Sequence, residues 1–135
     1  MRAFAVPAAA LPALLLAAPV AADPAYAPPF VDHTEWVQWG RQASLRVYPT
    51  AAARTAARQA VTDSTAADEA WAEVLRRAPN ADTPGMRQQF VCHWQVAEFV
   101  EPGKTSWNLE PWRPVVDDAT MIGSGCNPGG AEEPF

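Results

Sequence analysis

Positive charge is scarce in this sequence, and lysine is almost missing from it. Ten arginines and lysines stand against fifteen acidic residues, the formal net charge is -5, and Lys104 is the single lysine. Proteins that bind a nucleic acid gather lysine and arginine into a basic face that neutralises the phosphate backbone. Because no such cluster occurs along this chain, its composition argues against a nucleic-acid partner.

Long hydrophobic runs are missing after residue 22, so nothing beyond that point predicts a membrane-spanning helix. The first 22 residues differ, because Arg2 precedes an Ala- and Leu-rich run that ends in residues suited to signal peptidase. A membrane anchor is the alternative, but prolines at three positions would kink a spanning helix. We therefore predict a signal peptide over residues 1–22, an extended Pro-rich arm over residues 23–33, and one compact secreted domain over residues 34–135, located outside the cell or at the cell wall.

Cysteine is also rare, since the chain contains only Cys92 and Cys126. Cysteines of a secreted protein are usually oxidised, and only one pairing is possible here. Such a bond closes a loop of about 35 residues and contributes roughly 4 kcal/mol by the chain-entropy argument. The alternative is a metal site with His33 and His93, but neighbouring residues on a helix point about 100° apart and cannot easily bind one ion. We expect a disulfide, with no metal and no cofactor.

The stretch over residues 82–101 predicts the central helix of the fold. Thr83 can cap this helix, and Pro84 suits its first turn. At about 100° per residue, the apolar side chains fall on two nearly opposite arcs. The first arc holds Met86, Phe90, His93, Trp94 and Ala97, and the second holds Cys92, Val96, Phe99 and Val100. A helix that is apolar around most of its circumference is usually buried, so we expect the chain to pack around residues 84–100.

The segments around this helix predict an α+β fold with short antiparallel strands and two helices on one face. Residues 34–39 and 44–48 have the composition and alternation of strands. Residues 65–78 have helical periodicity, and residues 50–62 form either a weak helix or a loop. Residues 105–122 are expected to add edge or irregular strands, because prolines there cannot donate to a ladder, with one more short strand over residues 119–122. An all-helical fold is the less favoured alternative.

His93 is the first candidate for chemistry. Since it lies on the apolar arc, one interpretation is a core histidine hydrogen-bonded to a backbone carbonyl. The functional alternative is a general acid or base oriented by Glu110. No G-x-S-x-G elbow is present, so a nucleophile beside His93 is unsupported. A glycosidase-type pair of carboxylates also stays open, because the sequence does not give their separation. Its candidates are Glu98, Glu110, Asp117 and Asp118.

A second candidate is a cluster of aromatic and polar residues in the final third of the chain. Its members are Trp107, Asn108, Glu110, Trp112 and Arg113. Together they have the composition of a small polar binding site: aromatic faces, an amide, a carboxylate and a fixed cation. The alternative is structural, with Arg113 contacting Glu110 or an aromatic ring and pinning an irregular segment. Trp36 and Trp39 leave a similar choice between packing and stacking on a sugar ring.

Several longer motifs resemble a known family. They are DHTEWVQWG, SLRVYPT, AWAEV, ADTPGM, QFVCHW, PGKTSWNLEPWRP and CNPGG. They extend over nearly all of the chain after the arm, and they resemble a family of small secreted actinobacterial proteins catalogued as domain of unknown function 2599. The resemblance implies secretion and a single compact domain, and it supplies no established catalytic residues.

Three classes of function are compatible with these patterns. We favour a non-catalytic secreted or envelope-associated domain that binds an envelope glycan or an extracellular protein through the cluster around Trp107 and Arg113. The second class is a small extracellular hydrolase that uses His93 with a carboxylate. The third is a purely structural envelope protein, in which all six tryptophans belong to the core.

Overall fold

The computed structural model describes residues 12, 13, 15, 16, 27–59 and 65–132. Most of the predicted signal peptide and residues 23–26 of the predicted arm lie outside the described residues. The elements run in the order β1 (Val31–Trp39), β2 (Gln42–Pro49), α1 (Ala51–Gln59), α2 (Thr65–Arg77), a 3-10 turn (Pro79–Ala81), α3 (Met86–Val100), β3 (Trp107–Leu109) and α4 (Asp118–Gly123). This arrangement confirms the α+β prediction. No helix in the described part of the chain has the length and apolar character needed to cross a bilayer.

The three strands form one antiparallel sheet in the order β1-β2-β3. The β1–β2 hairpin turns at Gly40, whose φ of 56° favours glycine. Leu45 lies opposite Leu109 and Val47 opposite Trp107, so one face of β2 and β3 is apolar. Both predicted strands of the hairpin are confirmed. β1 begins earlier than expected, at Val31, and therefore includes residues 31–33 of the segment predicted as an arm.

Helix α3 packs its first arc against the apolar face of the sheet. Met86, Phe90 and Trp94 are at most 1% exposed. The Trp94 ring meets Trp107 edge-on at a centroid distance of 6.1 Å, and it meets Phe30 edge-on at 5.6 Å. Such edge-to-face contacts add to the hydrophobic gain of burying large rings. The predicted role of α3 as the central helix is confirmed for this arc.

The alanine-rich segment before α2 is a helix, α1, and not a loop. Its buried side chains are Ala53, Ala56 and Ala57. Glu98 of α3 links the two helices. Its carboxylate accepts hydrogen bonds from Arg54 of α1 at 2.6 Å and from Arg58 of α1 at 2.7 Å. Small side chains allow α1 to approach α3 closely, and the ion pairs fix its position.

Two local predictions are wrong. The N-cap of α3 is Gly85, with a φ of 86° and no side-chain cap, and it is not Thr83. Residues 119–122 were expected to form a strand but belong to helix α4. The physical reason is a cap, since Asp117 Oδ1 accepts a hydrogen bond of 2.7 Å from the backbone N–H of Thr120. Within residues 105–122, only β3 pairs as a strand.

The predicted disulfide between Cys92 and Cys126 is confirmed. The two sulfur atoms are 2.13 Å apart, and the bond ties α3 to the turn that follows α4. We expect no free thiol when the unreduced, denatured protein is treated with a thiol label. Reduction should lower the free energy of unfolding by about 2–4 kcal/mol, because the unfolded chain regains the freedom of the closed loop. Two labelled thiols in the unreduced protein would contradict this assignment.

Candidate functional site

The predicted binding cluster is mostly buried. Trp107 is 1% exposed, Asn108 4%, Glu110 0% and Arg113 3%. Trp112 is half-buried, and its indole N–H donates to the carbonyl oxygen of Ala43 at 3.1 Å. A ring or a charge buried to this degree presents no face to a ligand, so Trp107, Glu110 and Arg113 do not form the exposed binding site predicted for the cluster. The Asn108 amide is the exception in direction, because it donates to Glu132 of the tail.

Glu110 instead joins three parts of the fold. Its Oε2 accepts a hydrogen bond of 2.9 Å from Arg113 Nε, and its Oε1 accepts one of 3.0 Å from the Ser44 hydroxyl of β2. The side-chain amide of Gln89, on α3, bonds both backbone groups of Glu110, at 2.8 and 2.9 Å. The Gln89 amide thus makes the two hydrogen bonds that a neighbouring strand would make. It satisfies the buried backbone N–H and carbonyl oxygen of Glu110.

Arg113 also holds the C-terminal tail. Its guanidinium donates to three backbone carbonyl oxygens, those of Pro128 at 3.1 Å, Gly130 at 2.6 Å and Ala131 at 3.4 Å. The same group lies 4.5 Å from the centre of the Trp112 ring. The structural alternative from the sequence is thus confirmed, because Arg113 contacts both Glu110 and an aromatic ring and pins an irregular segment.

His93 has the environment of a core histidine. It is 3% exposed, and its Nδ1–H donates to the carbonyl oxygen of Gln89 at 2.8 Å. Burial lowers the pKa of His93 to about 4, so the imidazole is neutral at physiological pH. The Glu110 carboxylate accepts hydrogen bonds from Arg113 and Ser44 and is fully buried. These contacts give Glu110 a structural role, and its pairing with His93 in a hydrolase stays a prediction.

The other carboxylates considered for a glycosidase pair have structural partners as well. Glu98 lies between two arginines of α1. Asp117 caps α4, and its hydrogen bonds with Thr120 lower the pKa of its carboxyl group. Asp118 accepts a hydrogen bond of 3.2 Å from Gln88. These roles account for the acidic residues without invoking catalysis.

Trp36 and Trp39 lie on β1 and are 37% and 54% exposed. Residues three apart on a strand point to opposite faces of the sheet, so the two rings do not form one platform. The indole N–H of Trp36 also donates to Asn80 Oδ1 at 3.2 Å, which ties the strand to the 3-10 turn.

Helix α3 is less buried on its second arc than the sequence suggested. Helix α4 covers Cys92 with Met121, but Phe99 and Val100 are 62% and 80% exposed. Between α3 and α4 lies an open groove of about 670 Å³. This α3–α4 groove is lined by Gly85, Arg87, Gln88, Val91, Cys92, Gln95, Val115, Asp118, Met121 and Ile122.

The α3–α4 groove has an apolar floor and polar edges. Val115 and Ile122 are 64% and 51% exposed along its side. Arg87 is paired with Asp68 of α2, and Gln88 Nε2 donates to the carbonyl oxygen of Val116 at 2.7 Å. The charged side chains of the lining, Arg87 and Asp118, therefore already have partners in Asp68 and Gln88, and the open surface combines apolar and polar groups.

A second, smaller cavity of about 180 Å³ lies at the other side of the disulfide. This His93 cavity is lined by His93, Val96, Ala97, Val100, Glu101, Lys104, Gly125, Cys126, Asn127 and Glu132. Lys104 Nζ lies 2.6 Å from Glu132 Oε2, so the lysine that stands alone in the sequence forms an ion pair with the tail.

The described residues contain no cluster of potential metal ligands. No group of three or more His, Cys, Asp and Glu side chains within residues 27–59 and 65–132 is placed to hold an ion. Cys92 and Cys126 are bonded to each other, so neither sulfur is available to the metal site considered as the alternative.

The comparison with known families supports the resemblance seen in the sequence. The model of a family described as "Protein of unknown function (DUF2599)" matches residues 31–129. The chain belongs to this family. The matched region includes every residue that lines the α3–α4 groove, whereas Glu132 of the His93 cavity lies beyond it.

Relatives occur in several mycobacteria. The uncharacterized protein Rv0477 of Mycobacterium tuberculosis is 63% identical over 112 residues, which cover 83% of this chain and 74% of that protein. The uncharacterized protein ML2452 of Mycobacterium leprae is 53% identical over 110 residues, which cover 82% of this chain and 88% of that protein. No solved structure matches the chain.

Proposed function

We propose that this protein is a non-catalytic secreted domain of the cell envelope, which binds a peptide segment of a protein partner in the α3–α4 groove. The observation that carries the proposal is the open groove beside the central helix, along which Val115 and Ile122 stay 64% and 51% exposed. Large apolar side chains that stay exposed together on a small domain are typical of interaction sites. The disulfide supports a location outside the cytoplasm, because such bonds persist in oxidising compartments.

The lining of the groove favours a peptide over a sugar. Val91, Val115 and Ile122 offer apolar contacts, and the exposed amide of Gln95 stands at the edge, where it can bond polar groups of a bound chain. Proteins use grooves of this kind to hold the apolar face of an amphipathic helix. None of the lining residues is aromatic, so the groove lacks the ring on which a sugar would stack.

The polar residues in the interior support a non-catalytic role. His93 is neutral and bonded to its own helix, and Glu110 is held by Arg113. A general acid or base needs a proton-transfer partner within hydrogen-bonding reach and access to a substrate. The Glu110 carboxylate accepts hydrogen bonds from Arg113 and Ser44 and is fully buried, so it has no open access to a substrate.

The groove can be tested with peptides selected from a display library against the mature domain. Ile122→Glu places a charge on the apolar wall at a half-exposed position, where the fold should tolerate it. We expect the selected peptides to bind this variant at least tenfold more weakly, since losing the burial of one isoleucine costs about 1.5–3 kcal/mol.

Phe99→Glu is the matched control for this experiment. It makes the same change of charge on α3, at a residue that is 62% exposed and lines neither the α3–α4 groove nor the smaller cavity beside His93. Peptide affinity should stay within about twofold of the wild type, a difference of roughly 0.4 kcal/mol. Equal losses in both variants, or no loss with Ile122→Glu, would contradict the proposed site.

A further inference from the structure

We propose that the His93 cavity is a binding site for a small carboxylic acid, whose carboxylate takes the place that Glu132 occupies in this structure. The inference goes beyond the peptide groove, because it concerns different residues on the other side of the disulfide. The ligand class is an acid that carries a hydrogen-bond donor close to its carboxylate, such as an N-acylated amino acid or the C-terminal residue of a peptide.

The first argument is a pair of donors that converge on one carboxylate. Glu132 accepts a hydrogen bond of 2.6 Å from Lys104 Nζ and one of 2.9 Å from Asn108 Nδ2. The Ser106 hydroxyl donates to Asn108 Oδ1 at 2.7 Å, which turns the amide so that its N–H groups point at the carboxylate. Ser106 and Asn108 are both buried, so this orientation is built into the body of the domain.

The second argument is that Glu132 and its donors come from different parts of the fold. Lys104 follows the turn at the end of α3, and its carbonyl oxygen accepts a hydrogen bond of 2.6 Å from Arg54. Glu132 lies in the tail beyond Cys126, and its side chain is 28% exposed. The donors Lys104 and Asn108 thus lie beside α3 and on β3, whereas the acceptor Glu132 lies in the segment after Cys126. An external carboxylate can compete for the same donors by mass action.

The third argument is the chemistry of the adjoining space. Val96, Ala97 and Val100 supply an apolar wall. Because His93 Nδ1–H is bonded to Gln89, the neutral ring leaves Nε2 as a hydrogen-bond acceptor, and His93 is one of the residues that line the cavity. Asn127 Oδ1 is buried and has no donor among the described residues. A ligand that offers an N–H or O–H beside its carboxylate would satisfy such acceptors.

N-acetylalanine is a suitable probe, and N-acetylalaninamide is its control because it lacks only the carboxylate. We would titrate both into the mature protein and follow binding by calorimetry and by amide chemical shifts. Glu132→Ala should bind N-acetylalanine at least tenfold more tightly than the wild type, because the competing carboxylate is gone. The amide should bind neither protein measurably.

Three further variants separate a ligand site from a simple anchor for the tail. Lys104→Met added to Glu132→Ala should lower the affinity for N-acetylalanine at least tenfold relative to Glu132→Ala alone. Glu132→Gln keeps the shape of the side chain and should bind N-acetylalanine with an affinity between those of the wild type and Glu132→Ala. Glu35→Ala changes the charge equally at an exposed position on β1 and should change nothing. Ile122→Glu should also leave this affinity intact, so the outcome is independent of the peptide groove.

Two results would overturn the proposal. One is that Glu132→Ala and Glu132→Gln, shown to be folded by their thermal midpoints, bind N-acetylalanine no more tightly than the wild type. The other is that binding persists without Lys104 or is equal for the amide. Either result would leave Glu132 as a structural contact of the tail and nothing more.

Discussion

Replacing Arg113 with methionine is expected to lower the free energy of unfolding by about 3–5 kcal/mol, because removal of one partner leaves a buried charge uncompensated. Both side chains of the Glu110–Arg113 pair are 0% exposed. The change would also free three carbonyl oxygens of the tail from their donor. Urea denaturation followed by tryptophan fluorescence measures the loss directly.

Arg87→Met provides the control for this measurement. Arg87 pairs with Asp68, but both side chains are more than half exposed, so water compensates for the lost contact. We expect a change below about 1 kcal/mol. The double variant Arg113→Met/Glu110→Met should be more stable than Arg113→Met alone, since no unpaired charge remains. Equal stability of Arg113→Met and Arg87→Met would refute the structural role of the buried pair.

Trp94→Ala is expected to cost about 3–5 kcal/mol, the range found for truncation of a large buried aromatic side chain. Trp94 is 1% exposed and fills the space between Phe30 and Trp107. Its removal would open a cavity at the contact between α3 and the sheet. The midpoint of thermal or urea unfolding should fall accordingly.

Phe99→Ala is the matched control on the same helix. Phe99 is 62% exposed, so its truncation should change the free energy of unfolding by no more than about 0.5 kcal/mol. If Trp94→Ala and Phe99→Ala had similar effects, the first arc of α3 would not be the centre of the core.

The regular parts of the fold could be predicted from local pattern. Helical spacing along α2 and α3, and alternation in β2, repeat the periods of 3.6 and 2 that burial on one face produces. The disulfide could be predicted from the number of cysteines, because a chain with two cysteines allows only one intramolecular pairing. The short apolar run over residues 119–122 predicted a strand, whereas the hydrogen bond from the Thr120 N–H to Asp117 places these residues in helix α4.

The candidate sites could not be predicted in the same way. Glu110 and Arg113 look like surface residues in the sequence, and they become buried because a tail some fifteen residues later folds over them. The α3–α4 groove depends on how far a six-residue helix covers α3. One signal was present. Val91 is apolar, although it lies on the narrow face of α3 that also carries the polar side chains of Arg87, Gln88 and Gln95.

The most direct test of the central claim is a map of amide chemical-shift changes in the protein during titration with a selected peptide. Binding in the α3–α4 groove predicts that the largest changes fall on residues 87–95 of α3 and on α4. Small changes are expected on the β1–β2 hairpin. The account would be contradicted if the changes gathered around Trp36 and Trp39, or if no peptide produced saturable changes in the groove.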